Sequence, residues 1–162
     1  MRIDQVTADQ IPALRSMMEE YLAWAFSLQQ GAEDAPTFAG SDDELKTLPG
    51  TFAPPRGRFL VAFDGETLLG AVGLKPFDHV TAELKRLYVR PEARGQNLGM
   101  RLVAQLIDEA RREGYKRMIL DSHKSMESAH AIYRKAGFKD VGPWPSFPEE
   151  LVPVVVFMEL NL

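Results

Sequence analysis

A glycine-containing turn between a predicted strand and a predicted helix is the segment whose residue types best suit ligand binding. Val89 ends an apolar run, Leu98 begins a helical pattern, and Arg94, Gly95 and Gly99 lie in or beside the turn. A helix that starts at a tight turn directs unpaired backbone N–H groups toward one point, and its dipole favours negative charge there. The turn therefore predicts either a phosphate or pyrophosphate site or an ordinary strand-to-helix connection that contains two glycines.

The remaining residues that carry chemistry define no second motif. The chain has no cysteine, which excludes disulfides, thiolate metal sites and a cysteine nucleophile. His123 and His130 lie seven residues apart without further ligands at metal-binding spacing, so no metal site is predicted. We expect His123 to be a loop residue or to border an acceptor site, and His130 to face solvent on a helix.

The elements that position this turn follow a mixed order of strands and helices. Alternating and continuous apolar runs predict seven strands, at residues 2–6, 58–63, 67–75, 81–89, 116–121, 138–142 and 154–160. Helical spacing predicts a first helix capped by Asp9, a short helix capped by Ser41, a helix that Gly114 ends and a helix that Gly137 ends. Residues 31–57 are rich in Gly and Pro and predict a mobile connection around the short helix.

Length and charge restrict the class of protein. The chain has 162 residues, which suits a single domain over residues 1–162. It carries 19 basic and 23 acidic residues, a net charge of -4, without the clustered basic residues that bind nucleic acid. No apolar run is long enough to cross a membrane and no signal-peptide core is present, which predicts a soluble cytoplasmic protein.

Three blocks in order resemble the GNAT superfamily of acetyl-CoA-dependent N-acetyltransferases. Residues 83–91 (ELKRLYVRP) look like the fourth strand of that family. Residues 94–99 (RGQNLG) resemble its pyrophosphate loop, and residues 129–138 (AHAIYRKAGF) resemble its closing tyrosine helix. The resemblance implies an α/β GNAT fold, with about seven mostly antiparallel strands, a parallel central pair, four helices, and strands 4 and 5 splayed apart.

The resemblance also implies where acetyl-CoA binds. The pantetheine arm would pair with the backbone of strand 4 as an additional strand, and the amides of the turn would hold the pyrophosphate. The residues implied in this binding are Leu87, Tyr88, Val89, Arg94, Gly95, Gln96, Asn97, Leu98, Gly99, Met100, Met126 and Ala129.

Two of these residues depart from the family pattern. Asn97 stands where the loop usually has glycine, and Asn tolerates left-handed backbone angles better than most residues. Met126 stands where many members carry an asparagine that touches the cofactor. Whether either residue weakens cofactor binding is left open by the sequence.

The resemblance assigns two catalytic roles. Tyr133 matches the tyrosine that protonates the departing thiolate; without the family it would be interpreted as a core residue. Glu83 begins strand 4, where several members place a glutamate that deprotonates the amine, and the alternative is a structural glutamate paired with Lys85 or Lys75. A period of two would put Glu83 on the same side as Lys85, Leu87 and Val89.

The predicted reaction is acetyl transfer from acetyl-CoA to a primary amine of a small molecule or peptide by direct attack, without a metal. The alternative is a non-catalytic acetyl-CoA-binding module that regulates or scaffolds. Trp144 and Phe147 are expected to shape an acceptor pocket or to pack on a homodimer partner. Tyr21 and Trp24 are interpreted as core residues.

Overall fold

The structure is a computed structural model, and it describes residues 1–28 and 41–162. Within these ranges seven strands form one mixed sheet. The strands are β1 (Arg2–Gln5), β2 (Arg58–Asp64), β3 (Thr67–Pro76), β4 (Thr81–Val89), β5 (Arg117–His123), β6 (Lys139–Val141) and β7 (Val155–Asn161). The part of the predicted mobile connection that precedes Ser41 lies outside the described residues.

The order of strands in the sheet confirms the predicted architecture. It runs β1-β2-β3-β4-β5-β7-β6, and the β4–β5 pair is parallel, whereas every other neighbouring pair is antiparallel. The β2–β3 hairpin turns at Gly65, whose φ of +59° suits a residue without a side chain. A parallel pair in the middle of the sheet requires a long crossover, which the helix after β4 supplies.

Within the described residues four α-helices pack around the sheet: α1 (Ile11–Leu28), α2 (Ser41–Lys46), α3 (Leu98–Glu113) and α4 (Glu127–Lys135). Gly114 ends α3 in a left-handed conformation, as its position in the sequence predicts. The prediction that Asp9 caps the first helix is wrong. A 3-10 turn at Ala8–Gln10 precedes α1, and Thr7 is its N-cap. Asp9 instead accepts the Thr7 hydroxyl at 2.6 Å, so the chain turns two residues earlier than expected.

Each face of the sheet carries its own core. The face under α3 and α4 buries aliphatic side chains of both helices, among them Leu102 and Leu106, against β2–β5 and β7. The opposite face packs against α1 through Leu14 and Met17 and against the buried ring of Phe52. Both faces of the sheet are thus buried. This explains why the sequence of β3 is an almost continuous apolar run rather than an alternating one.

Strands β4 and β5 separate soon after they begin to pair. Their parallel ladder joins Thr81 to Arg117, Ala82 to Met118 and Glu83 to Ile119, and no further pair is formed in the described residues. Nevertheless β4 continues for six residues to its end and β5 for four. The predicted splay is therefore present. It leaves the later part of β4 with a backbone edge that faces a gap instead of a strand.

A bulge interrupts β4 within this gap. Arg86 has a φ of +62°, which is uncommon for a residue with a side chain. Lys85 lies opposite Gly73 and Tyr88 lies opposite Ala71, so one residue of β3 faces two residues of β4 between these pairs. Such a bulge shifts the alternation of side chains by one position.

The shift separates two parts of β4 that a strict period of two would place together. Leu84, before the bulge, and Leu87 and Val89, after it, all pack in the core under α3. Glu83 and Lys85 therefore project from the opposite face. The prediction that all four alternate residues from Glu83 to Val89 share one side is wrong for Leu87 and Val89, because the bulge adds a residue between them and Lys85.

Candidate active site

Three adjoining pockets, which we together call the cleft, lie along the gap between β4 and β5, from the start of α3 to the buried face of α4. We divide it into a loop end beside residues 94–100, an apolar middle along β4, and an inner chamber around Tyr133. Val89 and Arg94 line both the loop end and the middle. Leu87 and Ala129 line both the middle and the inner chamber. One extended ligand could therefore contact all three parts.

The loop end contains most of the residues predicted to hold a pyrophosphate. Arg94, Gly95, Asn97, Leu98, Gly99 and Met100 all line it. Gln96 does not line it: the exposed side chain donates a hydrogen bond to the Glu92 carbonyl oxygen at 3.3 Å. Gln96 can thus contribute only its backbone N–H to this end of the cleft.

The backbone of the turn is shaped for an anion. Gly95 has a φ of +78°, and no atom lies within 4 Å of the position that a Cβ would occupy. Asn97 has φ +62° and ψ +15°, so it takes the left-handed conformation that we expected it to tolerate. Helix α3 begins at the next residue, and its first N–H groups have no partner within the helix. The turn and the helix start together have the backbone geometry that an anion site requires, and the binding of a pyrophosphate there stays a prediction.

Arg94 is held at the border between the loop end and the middle. Its Nε donates to the Val89 carbonyl oxygen at 3.0 Å. Its guanidinium carbon lies 5.2 Å from the centre of the Trp24 ring and 5.9 Å from that of Tyr88. Tyr88 in turn donates its hydroxyl to Glu20 at 3.0 Å. Contacts from α1 and β4 therefore fix a positive charge beside the start of α3.

Gly99 serves packing between two helices rather than the turn itself. A Cβ at this position would lie 2.7 Å from Cδ1 of Ile132 on α4. The missing side chain thus lets α4 approach α3 closely, and Ile132 becomes part of the wall of the cleft. Close packing of these two helices therefore places Ile132 where it lines both the loop end and the apolar middle.

Tyr133 reaches the inner chamber from α4. The residue is 5% exposed, and among the described residues its hydroxyl has no hydrogen-bond partner. Burial, followed by the neighbouring Tyr21 phenol and Asp121 carboxylate, raises the pKa of Tyr133 well above its ordinary value. The side chain is therefore a neutral phenol with a proton to donate.

A charged cluster lies on the face of the sheet opposite α3 and reaches the same chamber. Lys85 Nζ lies 2.7 Å from Glu83 Oε1 and 3.4 Å from Asp121 Oδ1. Burial alone would lower the pKa of Lys85, but the Asp121 and Glu83 carboxylates outweigh it and raise the pKa. Asp121 and Lys85 line the chamber, whereas Glu83 lies behind Lys85 and does not. Glu83, the predicted base, is thus ion-paired with Lys85 and does not itself line the chamber.

The β4 bulge carries a second ion pair at the rim of the chamber. Arg86 binds Glu44 of α2 through two parallel bonds, with Nε to Oε1 at 3.0 Å and Nη2 to Oε2 at 2.8 Å. The Tyr21 hydroxyl also bonds to Arg86, and burial raises the pKa of that phenol. Bidentate pairing fixes the orientation of the guanidinium group. Tyr21, interpreted from sequence as a core residue, is thus also part of the chamber wall.

Two histidines differ from their expected surroundings. His123 is the last residue of β5, not a loop residue, and it lines the chamber. Its Nδ1 accepts the Ser125 backbone N–H at 3.2 Å, and burial lowers its pKa. His130 is buried rather than solvent-facing, and its Nε2 lies 3.0 Å from Ser122 Oγ. Both rings are therefore neutral near pH 7.

Met126 and the aromatic residues near β7 complete the comparison with the sequence. Met126 immediately precedes α4 and lines the inner chamber, close to where the resemblance placed a cofactor contact. Trp144 and Phe147 instead make edge-to-face contacts with Phe157, with ring centres 5.0 Å and 4.8 Å away. Neither ring lines the three parts of the cleft. Their role in an acceptor pocket stays a prediction.

Sequence reasoning missed Asp121 and Arg86 as site residues and put Tyr21 and Trp24 in the core. One signal was available for Asp121, because a carboxylate ends the apolar run of β5, and the ends of buried strands commonly carry functional groups. Arg86 gave no such signal, since only the bulge turns it toward α2. Tyr21 and Trp24 do contact the core beside α1, and they line the cleft as well.

The described residues contain neither a metal-binding cluster nor a helix that could span a membrane. Within residues 1–28 and 41–162, no group of three or more His, Asp or Glu side chains is arranged to hold a metal ion. No helix in the same ranges has the length and apolar character needed to span a bilayer.

Comparison with known proteins agrees with the class of protein that this cleft indicates. The model of the acetyltransferase (GNAT) family matches residues 15–138. An uncharacterized N-acetyltransferase of Schizosaccharomyces pombe is 41% identical over 128 residues, which cover 78% of this chain and 77% of that protein. An IAA acetyltransferase of Azospirillum brasilense is 36% identical over 113 residues, which cover 69% of this chain and 72% of that protein.

A solved structure shares the fold over almost the whole length. The PaiA N-acetyltransferase of Thermoplasma acidophilum, solved in complex with coenzyme A, superimposes with a TM-score of 0.78 at 22% identity. The match covers 99% of this chain and 98% of that one. The fold and the cleft define an acyltransferase that uses a coenzyme A thioester. The chain belongs to the GNAT family, and it is an acetyl-CoA-dependent N-acetyltransferase.

Proposed function

We propose that the protein transfers the acetyl group of acetyl-CoA to a primary amine of a small molecule or peptide by direct attack. The observation that carries the proposal is the continuity of the cleft. It begins at an anion-binding turn at the start of α3 and ends at a buried phenol with an unpartnered hydroxyl among the described residues. An extended thioester with a diphosphate at one end matches both ends of this cleft.

The residues along the cleft fit acetyl-CoA in the order of its chemical groups. The amides of Gln96, Asn97, Leu98, Gly99 and Met100, together with Arg94 and the space beside Gly95, would hold the diphosphate. The free backbone edge at Leu87, Tyr88 and Val89 would pair with the pantetheine amides as a strand does. Met126 and Ala129 would then contact the ligand near the thioester, which supplies the acyl group for transfer.

The two ends of the reaction need a donor each. One backbone N–H within Leu87, Tyr88 and Val89 would donate to the carbonyl oxygen as it gains negative charge. Tyr133 would give its proton to the sulfur as the carbon–sulfur bond breaks. A buried phenol suits this role because its raised pKa keeps the proton on oxygen, so a donor is present when the sulfur leaves.

The amine must lose a proton before or during its attack, and a carboxylate suits that role. The resemblance favours Glu83, acting through water from behind Lys85. That role rests on the position of Glu83 at the start of β4.

Release of free thiol from acetyl-CoA across a panel of primary amines tests the proposed function. The protein contributes no background because it contains no cysteine. We expect release that depends on one class of amine and saturates with it. Binding of acetyl-CoA without release from any amine would favour the non-catalytic module, and failure to bind acetyl-CoA would overturn the proposal.

A further inference from the structure

The inner chamber contains one carboxylate that reaches the cleft and is only partly neutralised. Asp121 lines the chamber, and its side chain is 12% exposed. Only Oδ1 contacts Lys85, at 3.4 Å, whereas Glu83 takes the closer contact at 2.7 Å. Lys85 is therefore paired more closely with Glu83 than with Asp121. The second oxygen of Asp121 remains available for a donor that enters from the cleft.

The charged groups that line the chamber are each engaged by a partner. Arg86 of β4 is held by Glu44 of α2, and Lys85 of β4 is held by Glu83, which lies outside the lining. Among the described residues that line the chamber, Asp121 of β5 is the one carboxylate. The other titratable groups of the lining are neutral, because burial raises the pKa of Tyr21 and Tyr133 and lowers that of His123. Since Glu44 and Glu83 pair with the two cations, Asp121 is the charged group of the lining that can receive a cationic ligand.

A second observation shows that this chamber is built for a reacting group. Tyr133 is only 5% exposed and lines the same chamber as Asp121. Its hydroxyl has no hydrogen-bond partner among the described residues. Buried hydroxyl groups without a partner are rare in folded proteins. A carboxylate and a phenol that face one chamber can serve the two opposite proton transfers of an acyl transfer.

We propose that Asp121 is the carboxylate that receives the acceptor's ammonium group and takes its proton, and that Lys85 positions it. This inference rests on the proposed acetyl transfer, and it replaces Glu83, which the resemblance favours, as the base. Glu83 then acts through Lys85 as a positioning residue, because its carboxylate is bound to that ammonium.

The proton and electron balance of the step is complete with the residues present. Asp121 takes one proton from the ammonium, and the freed nitrogen pair forms the new carbon–nitrogen bond at the thioester carbonyl. The carbon–sulfur bond then breaks with its pair on sulfur, which takes the Tyr133 proton. The nitrogen loses its second proton to the Tyr133 phenolate through water, and Asp121 releases its proton to solvent.

Two coenzyme A thioethers test the inference without knowledge of the acceptor. S-(2-aminoethyl)-coenzyme A places an ammonium just beyond the sulfur, and S-propyl-coenzyme A is a neutral molecule of nearly the same shape. By calorimetry at pH 7 the native protein should bind the cationic probe about tenfold more tightly, as a hydrogen-bonded ion pair predicts. Equal affinity for the two probes would overturn the inference.

Matched substitutions locate the charge that recognises the cationic probe. Asp121→Asn should abolish the preference and leave affinity for S-propyl-coenzyme A unchanged, and Asp121→Glu should retain part of it. Glu83→Gln should retain most of it. Loss of the preference in Glu83→Gln with retention in Asp121→Asn would instead assign the role to Glu83 and refute the inference.

Two controls cover misfolding and failure of the proposed function. If Asp121→Asn fails to bind even the neutral probe, the inference is tested instead by the pH dependence of probe binding to the native protein. Its preference should then disappear as the probe's amine loses its charge at alkaline pH, and a preference that persists would refute the inference. If the native protein binds neither thioether, the proposed function itself fails, which is a different result from equal binding of both.

Discussion

The two ends of the cleft are built in different ways. The loop end is made mainly of one continuous segment, residues 93–100, which includes the fixed Arg94, and Val89, Ser128 and Ile132 complete its wall. The inner chamber is made of side chains from four separate elements, with Tyr21 on α1, Arg86 on β4, Asp121 on β5 and Tyr133 on α4. The first end depends on local conformation and the second on tertiary packing.

The difference between the two ends corresponds to a division of labour. A diphosphate is the same in every reaction that uses acetyl-CoA, so a fixed set of amides at a helix start is sufficient for it. An acceptor amine needs particular charges and protons, which only side chains supply. Changes at the loop end should therefore alter affinity for acetyl-CoA, and changes in the chamber should alter turnover.

The largest effect is expected for Tyr133→Phe. Loss of the phenolic proton should lower kcat by about 100-fold or more, as removal of a general acid typically does. The dissociation constant of acetyl-CoA should remain within about twofold, because the hydroxyl has no partner among the described residues. Steady-state kinetics and calorimetry measure the two quantities separately.

Tyr115→Phe is the matched control for that substitution. Tyr115 is equally buried, but its hydroxyl donates to the Arg56 carbonyl oxygen at 2.8 Å, away from the cleft. It should lower the free energy of unfolding by about 1 kcal/mol and leave kcat unchanged. An equal loss of kcat in both variants would show that Tyr133 has only a packing role.

Gly95→Val should weaken acetyl-CoA binding by about tenfold or more. A β-branched residue is strained at a φ of +78°, so the turn should shift and move its amides. Gly65→Val is the control, since Gly65 also has a positive φ and open space around the Cβ position, but lies in the β2–β3 hairpin. We expect the two variants to lose similar free energy of unfolding. Only Gly95→Val should bind acetyl-CoA more weakly. Unchanged binding by that variant would contradict the anion site.

Asn97→Gly should have a small effect at the same end. Glycine adopts the left-handed conformation of this position without the cost that asparagine bears. We expect an increase in unfolding free energy of up to about 1 kcal/mol and a dissociation constant for acetyl-CoA within about twofold of native. Much tighter binding by the variant would show that Asn97 distorts the loop.

The smallest effect concerns pH and the buried His130 beneath the chamber. Burial lowers the pKa of His130, so the folded state resists protonation more than the unfolded state does. Its contribution to stability is full above the ordinary histidine pKa of about 6.5 and is lost as the pH falls through that value toward the lowered one. Urea unfolding at pH 7.5 and pH 5.5 should show a larger acid loss for native protein than for His130→Gln. Equal losses would contradict this assignment.

The sequence predicted the loop end well because its determinants are local. The bounds of β4, the start of α3 and the left-handed Asn97 all follow from residue types within about fifteen positions. The family resemblance added the parallel central pair and its splay, which the structure confirms, and a catalytic role for Tyr133, which stays a prediction. These features need no knowledge of which distant residues meet.

The chamber could be predicted only in part, for physical reasons. A single bulge residue, Arg86, reverses the side-chain alternation of β4, and no residue pattern marks a bulge at an arginine. The contact between Lys85 and Asp121 depends on how far β4 and β5 separate. Tyr21 serves both the core and the chamber, so its apolar neighbours on α1 concealed its second role.

The crystal structure of the acetyl-CoA complex tests the central claim of one continuous cleft most directly. We predict the diphosphate on the amides of residues 96–100 and the pantetheine along the free edge of β4. The thioester sulfur should lie within hydrogen-bond distance of the Tyr133 hydroxyl, with Asp121 open to the acceptor side. A diphosphate elsewhere, or a sulfur remote from Tyr133, would contradict the account.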